Sequence, residues 1–175
     1  EISSIFDPSI VYAKGGRLIN MLMQYLGQDA FRKGLKTYFA KHAYGNTTGQ
    51  DLWEALAHAS GTDVTGIMEP WLARRAFRVI ALTQNSKNLD ITQKQFLMDP
   101  AKADPERLWP VPLLSDSKDV PALLEKPQAI VELSSKNFVR VNCGAVGHYI
   151  VQYVNPEHAA AIAALAGTQK LNAAE

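Results

Sequence analysis

The sequence predicts an α+β protein in which a helical segment is followed by a set of short strands. Up to about residue 75, apolar residues recur three or four positions apart, which is the period of an amphipathic helix. After about residue 76, they alternate with polar residues, and turn-forming residues separate the runs. This change of period places a domain boundary near Arg75 and Ala76.

Four helices are expected before the boundary. The first carries Leu18 and Leu22 on its apolar face and ends at Gly27. The second begins at Asp29 and ends in a turn that includes Asn46, a residue type suited to a left-handed backbone.

Capping chemistry and tryptophans define the remaining two helices. Thr48 with Asp51 three residues later predicts a capping box at the start of the third helix, and Gly61 ends it. A short fourth helix follows. We expect Trp53 in the third helix and Trp71 in the fourth to hold the helical core.

Two features of the first two helices predict close packing. Gly15 and Gly16 lie inside the first helix, where each costs about 1 kcal/mol relative to Ala, so the pair indicates a closely approaching element. His42 lies on the apolar stripe of the second helix, and we expect a satisfied core histidine there.

Short strands and turns dominate the region after the boundary. The expected strands are Phe77 to Thr83, Leu89 to Met98, Trp109 to Leu114, Ala129 to Leu133, Phe138 to Cys143 and His148 to Val154. Their spacing predicts a β-sandwich. An Ala-rich helix then runs from about Asn155 to Ala166, so the expected domains are 1–75, 76–154 and 155–175.

Composition excludes several classes of function. Among 175 residues, 18 basic and 17 acidic side chains are interspersed and give a net charge of +1, which argues against a nucleic-acid-binding surface. No apolar run approaches the ~20 residues that span a bilayer, so no membrane partner is expected. The single cysteine, Cys143, excludes an internal disulfide and fits a reducing compartment, so we expect a cytoplasmic protein. The start at Glu1 lacks an initiator Met and a signal peptide, which favours an internal segment of a longer chain.

The segment from Ser9 to Gly16, SIVYAKGG, is followed by an apolar helix that ends in Leu26 and Gly27. This pattern resembles the tyrosine-bearing helix of the aminopeptidase N family of zinc metallopeptidases (gluzincins), of bacterial type. The resemblance continues in order over about 65 residues, through FRKGL, HAYGNTT, DLW and Trp71.

The second half resembles the small β-sandwich that follows the catalytic domain in this family. The segment WPVPL from Trp109 matches a family strand, and Gly147-His148-Tyr149 matches a Gly-(Phe/Tyr)-Tyr segment. Ile150 stands where the family usually has Arg, and the residues after Trp71 also depart from its pattern. The resemblance implies that residues 1–75 form the C-terminal helical part of a thermolysin-like catalytic domain. Residues 155–175 would then begin a further helical domain.

The family's zinc site has no counterpart in this sequence. No H-E-x-x-H motif occurs, in which two histidines one helical turn apart bind zinc and the Glu acts as base. In the family, these residues and the amine-binding G-x-M-E-N segment lie upstream of the position that Tyr12 matches. The resemblance therefore implies a zinc enzyme as the parent protein, and a chain that is zinc-free and inactive by itself.

Tyr12 is the one catalytic residue that the resemblance transfers to this sequence. Its phenol would donate a hydrogen bond to the oxyanion that forms when the first peptide bond of a substrate is attacked. Lys14 is expected to be a surface or local pairing residue rather than a base. Arg74, Arg75 and Arg78 are expected to be solvated residues at the junction, with a substrate-carboxylate role as the alternative.

Two functions from different classes remain open at this point. The first is a metalloaminopeptidase that removes single residues from peptide N-termini, so its partners are peptide substrates. The second is a non-catalytic interaction or scaffold relative that has lost the zinc site. Separated from its other half, the helical segment is also expected to self-associate through an exposed face that includes Val11, Leu18, Leu22 or Trp53.

Overall fold

The computed structural model describes residues 9–73, 77–97, 99, 104 and 107–166. Three parts of the predictions lie outside the described residues: the start at Glu1, the boundary near Arg75 and the segment 167–175. Among the described residues, no helix has both the length and the apolar character needed to cross a bilayer.

The chain is an α+β protein, as predicted. A π-helical turn, Ser9–Lys14, continues into α1 (Gly15–Leu26). Three further helices follow, α2 (Gln28–Lys41), α3 (Gly49–Ser60) and α4 (Val64–Ala73). The strands are β1 (Phe77–Asn85), β2 (Asn88–Phe96), β3 (Val111–Pro112), β4 (Leu123–Leu124), β5 (Gln128–Glu132) and β6 (Tyr149–Tyr153). The last described helix is α5 (Pro156–Ala166), and a 3₁₀ turn (Cys143–Ala145) precedes β6.

Predicted stop and start signals of the helices are confirmed. Gly27 adopts φ 83°, which an L side chain rarely adopts, and its N–H donates to the Met23 carbonyl at 3.0 Å. The capping box forms at α3, where the Thr48 N–H and hydroxyl both donate to Asp51 Oδ2 at 2.8 Å. Gly61 ends that helix in a left-handed conformation at φ 71°.

The left-handed residue after α2 differs from the prediction. Tyr44, rather than Asn46, has positive φ, at 60°, and its side chain is fully exposed. The turn closes through the Gly45 N–H, which donates to the His42 carbonyl at 3.1 Å. His42 is half-buried rather than part of the core, and its Nε2 lies 3.7 Å from Asp51 Oδ1.

Gly34 rather than Gly16 closely approaches a neighbouring helix, so the prediction of close packing was wrong for Gly16. A Cβ built on Gly16 meets no atom within 4 Å. A Cβ built on Gly34, which is buried in α2, would lie 3.0 Å from Leu56 Cα and 3.2 Å from the Ala55 carbonyl oxygen. Helices α2 and α3 therefore touch backbone to backbone at this position.

The larger sheet has four strands in the order β5-β2-β1-β6. The β1–β2 hairpin pairs Phe77 with Phe96 and Asn85 with Asn88, and β5 extends it antiparallel to β2. Strand β6 lies parallel to β1, so the chain crosses over before it returns. A second, two-stranded sheet pairs β3 with β4.

The segment Phe138 to Cys143 is not a strand, because its backbone hydrogen bonds are divided between side chains and the irregular backbone that follows β3. The Asn142 N–H donates to the Leu113 carbonyl at 3.1 Å. The Val139 N–H donates to Gln84 Oε1 at 3.1 Å, and the Val139 carbonyl is 2.8 Å from His158 Nε2. The Arg140 N–H donates to Asp116 Oδ1 at 2.9 Å. Strand β4 was not predicted, and the strand expected at Trp109 to Leu114 shortens to β3.

One core joins the helices to the sheets. The Trp71 indole N–H donates to the Pro110 carbonyl at 2.8 Å, and its ring meets the Trp109 ring edge-on, with centroids 4.8 Å apart. Leu18, Leu22 and Trp53 are 1%, 0% and 7% exposed. The predicted core role of Trp53 and Trp71 is confirmed. Leu18, Leu22 and Trp53 are buried rather than part of an exposed face, and self-association through the helical segment stays a prediction.

Candidate functional site

Tyr12 stands on an open surface of the π-helical turn. Its side chain is 69% exposed, and its hydroxyl has no hydrogen-bond partner among the described residues. The π-helical turn contains Tyr12 and runs directly into α1, so Tyr12 lies near the N-terminal end of one continuous helical segment. π-Helical turns inside helices occur frequently at functional sites. The phenol is thus free to donate to a group that arrives from outside this surface.

The chemistry open to Tyr12 follows from its environment. A phenol donates a hydrogen bond while it remains neutral, since its unperturbed pKa is about 10. The beginning of a helix carries positive backbone potential, which favours an oxyanion nearby. Both properties suit a donor to developing negative charge, and neither makes Tyr12 a base.

The nearest ionisable neighbour in sequence is Lys14, which is half-buried rather than a surface residue. Burial lowers the pKa of its amine below the ordinary value. The positive charge of Lys14, together with that of Arg17, acts on His148 in the loop before β6. Lys14 therefore contributes to the electrostatic environment of His148, which the sequence did not indicate.

The sequence did not indicate that His148 would be buried among aromatic rings. It is 9% exposed, and its ring centroid lies 4.8 Å from that of Phe77 and 6.2 Å from that of Trp71. The one signal in the sequence was the position of His148 beside Tyr149, where the resembled family segment carries a second aromatic residue.

Arg78 is buried at 1% exposure, so the prediction of a solvated junction residue was wrong. Its Nη2 donates to Gln93 Oε1 at 2.8 Å and to the Arg107 carbonyl at 2.6 Å. The guanidinium carbon also lies 5.2 Å from the centre of the Trp109 ring. These contacts make Arg78 a core residue and exclude the alternative of a substrate-carboxylate contact. Arg74 and Arg75 lie outside the described residues.

Cys143 lies in the 3₁₀ turn rather than in a strand. Its Sγ is 3.9 Å from the Arg140 carbonyl.

The described residues do not fit a zinc ion. Nowhere among them do three or more His, Cys, Asp or Glu side chains come together in a way that could hold a metal. His158 is fully buried, and its ring stacks on Phe138 with centroids 4.7 Å apart. His42 contacts Asp51, and His58 is exposed on α3. The histidines therefore serve four separate environments.

A shallow groove lies beside the first helix but does not include Tyr12. Its lining includes Arg17, Asn142, Ala145 and Tyr149, and its volume is ≈ 250 Å³. The Arg17 guanidinium donates to the Ala145 carbonyl across it. Tyr12 thus has no enclosed cavity around it within the described part of the chain.

Comparison with known proteins connects this surface to a family. The profile of the Peptidase family M1 domain matches residues 1–71, which include Tyr12 and all four helices up to Trp71. Aminopeptidase N of Lactococcus lactis subsp. lactis is 41% identical over 159 residues, covering 87% of this chain and 19% of that protein.

Two further relatives agree. Aminopeptidase N of Lactobacillus helveticus is 38% identical over 165 residues, 90% of this chain and 19% of the relative. Tricorn protease-interacting factor F2 of Thermoplasma volcanium is 37% identical over 157 residues, 89% of this chain and 19% of the relative. The chain spans about a fifth of the length of these curated relatives. The order of the motifs, the M1 profile and identities of 37% to 41% lead to one conclusion: the chain belongs to the aminopeptidase N family.

Proposed function

We propose that this chain is part of a longer zinc-dependent aminopeptidase and supplies its oxyanion donor, Tyr12. The observation that carries the proposal is the exposed Tyr12 phenol, presented by a π-helical turn within the segment that the M1 profile matches. Relatives named Aminopeptidase N support the peptidase activity, and peptides with a free N-terminus are the proposed substrates.

The proposed role of Tyr12 is to stabilise charge that exists only in the transition state. As the first peptide carbonyl is attacked, its oxygen becomes an anion, and the phenol O–H donates to it. A preorganised donor of this kind typically contributes about 10²–10³ in kcat. The described residues offer no zinc ligands, so the metal and the general base are proposed to be held by other parts of the longer protein.

Replacement of Tyr12 by Phe in the longer protein tests the proposal. Tyr12→Phe removes one oxygen from an exposed side chain, so folding and zinc content should not change, while kcat falls by about 10²–10³. Tyr44→Phe is the matched control, since Tyr44 is also exposed and lies outside the proposed site. Turnover of Tyr12→Phe at the level of the Tyr44→Phe control would sink the assignment.

The chain by itself should be zinc-free and inactive. Purified as 175 residues, it should release no chromophore from an aminoacyl-anilide, because no described cluster holds a metal. Hydrolysis by this chain that survives repurification and is lost on chelation would contradict the proposal.

The finer architecture follows from the same family membership. We propose that residues 1–75 belong to a thermolysin-like catalytic domain, that 76–154 form a β-sandwich from the two sheets, and that 155–175 begin a helical domain. The cytoplasmic location remains a proposal, supported by the presence of one cysteine in the sequence, which excludes an internal disulfide. Self-association through the helical segment, by dimerisation or domain-swapped contacts, also remains a prediction, and light scattering of the chain at high concentration tests it.

A second candidate function is a non-catalytic interaction role. The relative named Tricorn protease-interacting factor F2 carries an interaction in its name rather than a peptidase activity, and this supports the candidate. The two candidates differ in the longer protein, because only a peptidase binds zinc stoichiometrically and turns over aminoacyl substrates.

A further inference from the structure

His148 lies where three elements meet. Its ring packs against Trp71 from α4 and Phe77 from β1, with centroid distances of 6.2 and 4.8 Å. The residue itself directly precedes β6, and only 9% of it is exposed. The imidazole therefore fills part of the contact between the helical segment and the four-stranded sheet.

The first helical segment adds two cations to this environment. Lys14 from the π-helical turn and Arg17 from α1 both act electrostatically on the His148 ring. Arg17 also donates to the Ala145 carbonyl, three residues before His148, which ties α1 to the same loop. Trp71 and Phe77 contribute no charge, and no described carboxylate forms an ion pair with His148.

We propose that His148 is an acid-sensitive contact that holds the helical segment, through Trp71 of α4, to the sheet only while its ring is neutral. Protonation would add a positive charge to those of Lys14 and Arg17, inside a largely buried aromatic site where no described carboxylate pairs with the ring. The resembled segment carries Phe or Tyr at this position, so the titratable ring is a feature of this chain. The inference does not depend on the proposed catalytic role of Tyr12.

The direction of the pH effect follows from linkage. Burial, followed by the charges of Lys14 and Arg17, lowers the pKa of His148 below its ordinary value of about 6.5. The unfolded chain therefore binds the proton more tightly than the folded chain. The contribution of the neutral ring is complete above about pH 6.5 and is lost as the pH falls from there to the folded-state pKa.

The test compares urea unfolding of the 175-residue chain at pH 7.5 and pH 5.5 for wild type, His148→Phe and His58→Phe. His58 is exposed on α3, so it receives the same substitution outside the contact. Wild type and His58→Phe should lose stability on acidification, by up to about tenfold in the unfolding constant per pH unit for one proton. His148→Phe should lose measurably less, because its ring cannot take up a proton. Equal losses in all three proteins would overturn the proposal.

An NMR titration of the His148 ring protons covers the case in which His148→Phe does not fold. In the wild type, the midpoint should lie below that of a histidine in a model peptide. Arg17→Gln removes one cation and should raise this midpoint, whereas Arg32→Gln, on the exposed face of α2, should leave it unchanged. A wild-type midpoint at or above the peptide value, or one that does not respond to Arg17→Gln, refutes the inference.

Discussion

The backbone contact between α2 and α3 makes Gly34 a position where an added side-chain atom is expected to destabilise the helical segment. In Gly34→Ala, the new Cβ would lie 2.7 Å from Leu56 Cδ2, 3.0 Å from Leu56 Cα and 3.2 Å from the Ala55 carbonyl oxygen. The first atom moves if the Leu56 side chain changes rotamer, but Leu56 is fully buried. The other two atoms are backbone, so the helices themselves must separate by a few tenths of an ångström.

Two opposing effects determine how much Gly34→Ala changes the free energy of unfolding. Forcing a methyl group into a packed contact typically costs about 1–3 kcal/mol. Replacing Gly by Ala in a helix returns about 0.5–1 kcal/mol, because the unfolded chain loses conformational freedom. The steric cost is the larger of the two effects, so we expect Gly34→Ala to lower the free energy of unfolding by about 1–2 kcal/mol.

Gly16→Ala is the matched control, since its Cβ meets nothing within 4 Å. It should leave the stability unchanged or raise it by up to about 1 kcal/mol. Urea unfolding followed by circular dichroism gives both values from the shift in midpoint at constant slope. A Gly34→Ala protein as stable as Gly16→Ala would refute the reasoning from backbone contact.

Three further predictions concern the cap, the junction and the buried histidine. Thr48→Ala removes the side-chain half of the α3 capping box and should cost about 1 kcal/mol in urea unfolding, whereas full stability would show that Asp51 caps the helix alone. Trp71→Phe removes the indole donor to the Pro110 carbonyl and part of the core volume, so a loss of about 2–3 kcal/mol is expected; a loss below that of Thr48→Ala would argue against a joint core. His158 is fully buried with Nδ1 unpartnered among the described residues, and burial lowers its pKa, so its NMR titration midpoint should lie below the peptide value; a higher midpoint would contradict this.

Local signals in the sequence predicted the helical segment well. Gly27 and Gly61 end helices because their positive φ angles suit glycine, and Thr48 with Asp51 forms a cap within four residues. Each of these features depends on neighbours in the chain, so a single sequence carries enough information to find it.

Long-range contacts were the part that the sequence could not supply. Gly34 and Gly16 are both glycines inside helices, and only the approach of α3 distinguishes them. The Phe138 to Cys143 segment has an alternating pattern, but Gln84 and His158 bind the N–H and the carbonyl of Val139, which a strand would pair with its neighbour. The sequence alone predicts Arg78 to be a surface residue, whereas in the fold Gln93 and Trp109 contact its guanidinium.

The candidate site also includes one residue that the sequence predicted and one environment that only the fold shows. Tyr12 was predicted from a motif, and its open position on a helical turn is compatible with that role. The cations and aromatic rings around His148 come from α1, α4 and β1, so no sequence window contains the set. This is why the acid-sensitive contact emerged only from the fold.

We propose that Tyr12 stabilises the transition state rather than the bound substrate. The most direct measurement is the inhibition constant of a phosphinic peptide, a tetrahedral oxyanion mimic, for the longer protein and its Tyr12→Phe variant. We expect Tyr12→Phe to weaken this inhibitor by about 10²–10³, in parallel with the loss in kcat/KM, while substrate affinity is retained. An inhibition constant that Tyr12→Phe leaves unchanged would contradict the claim.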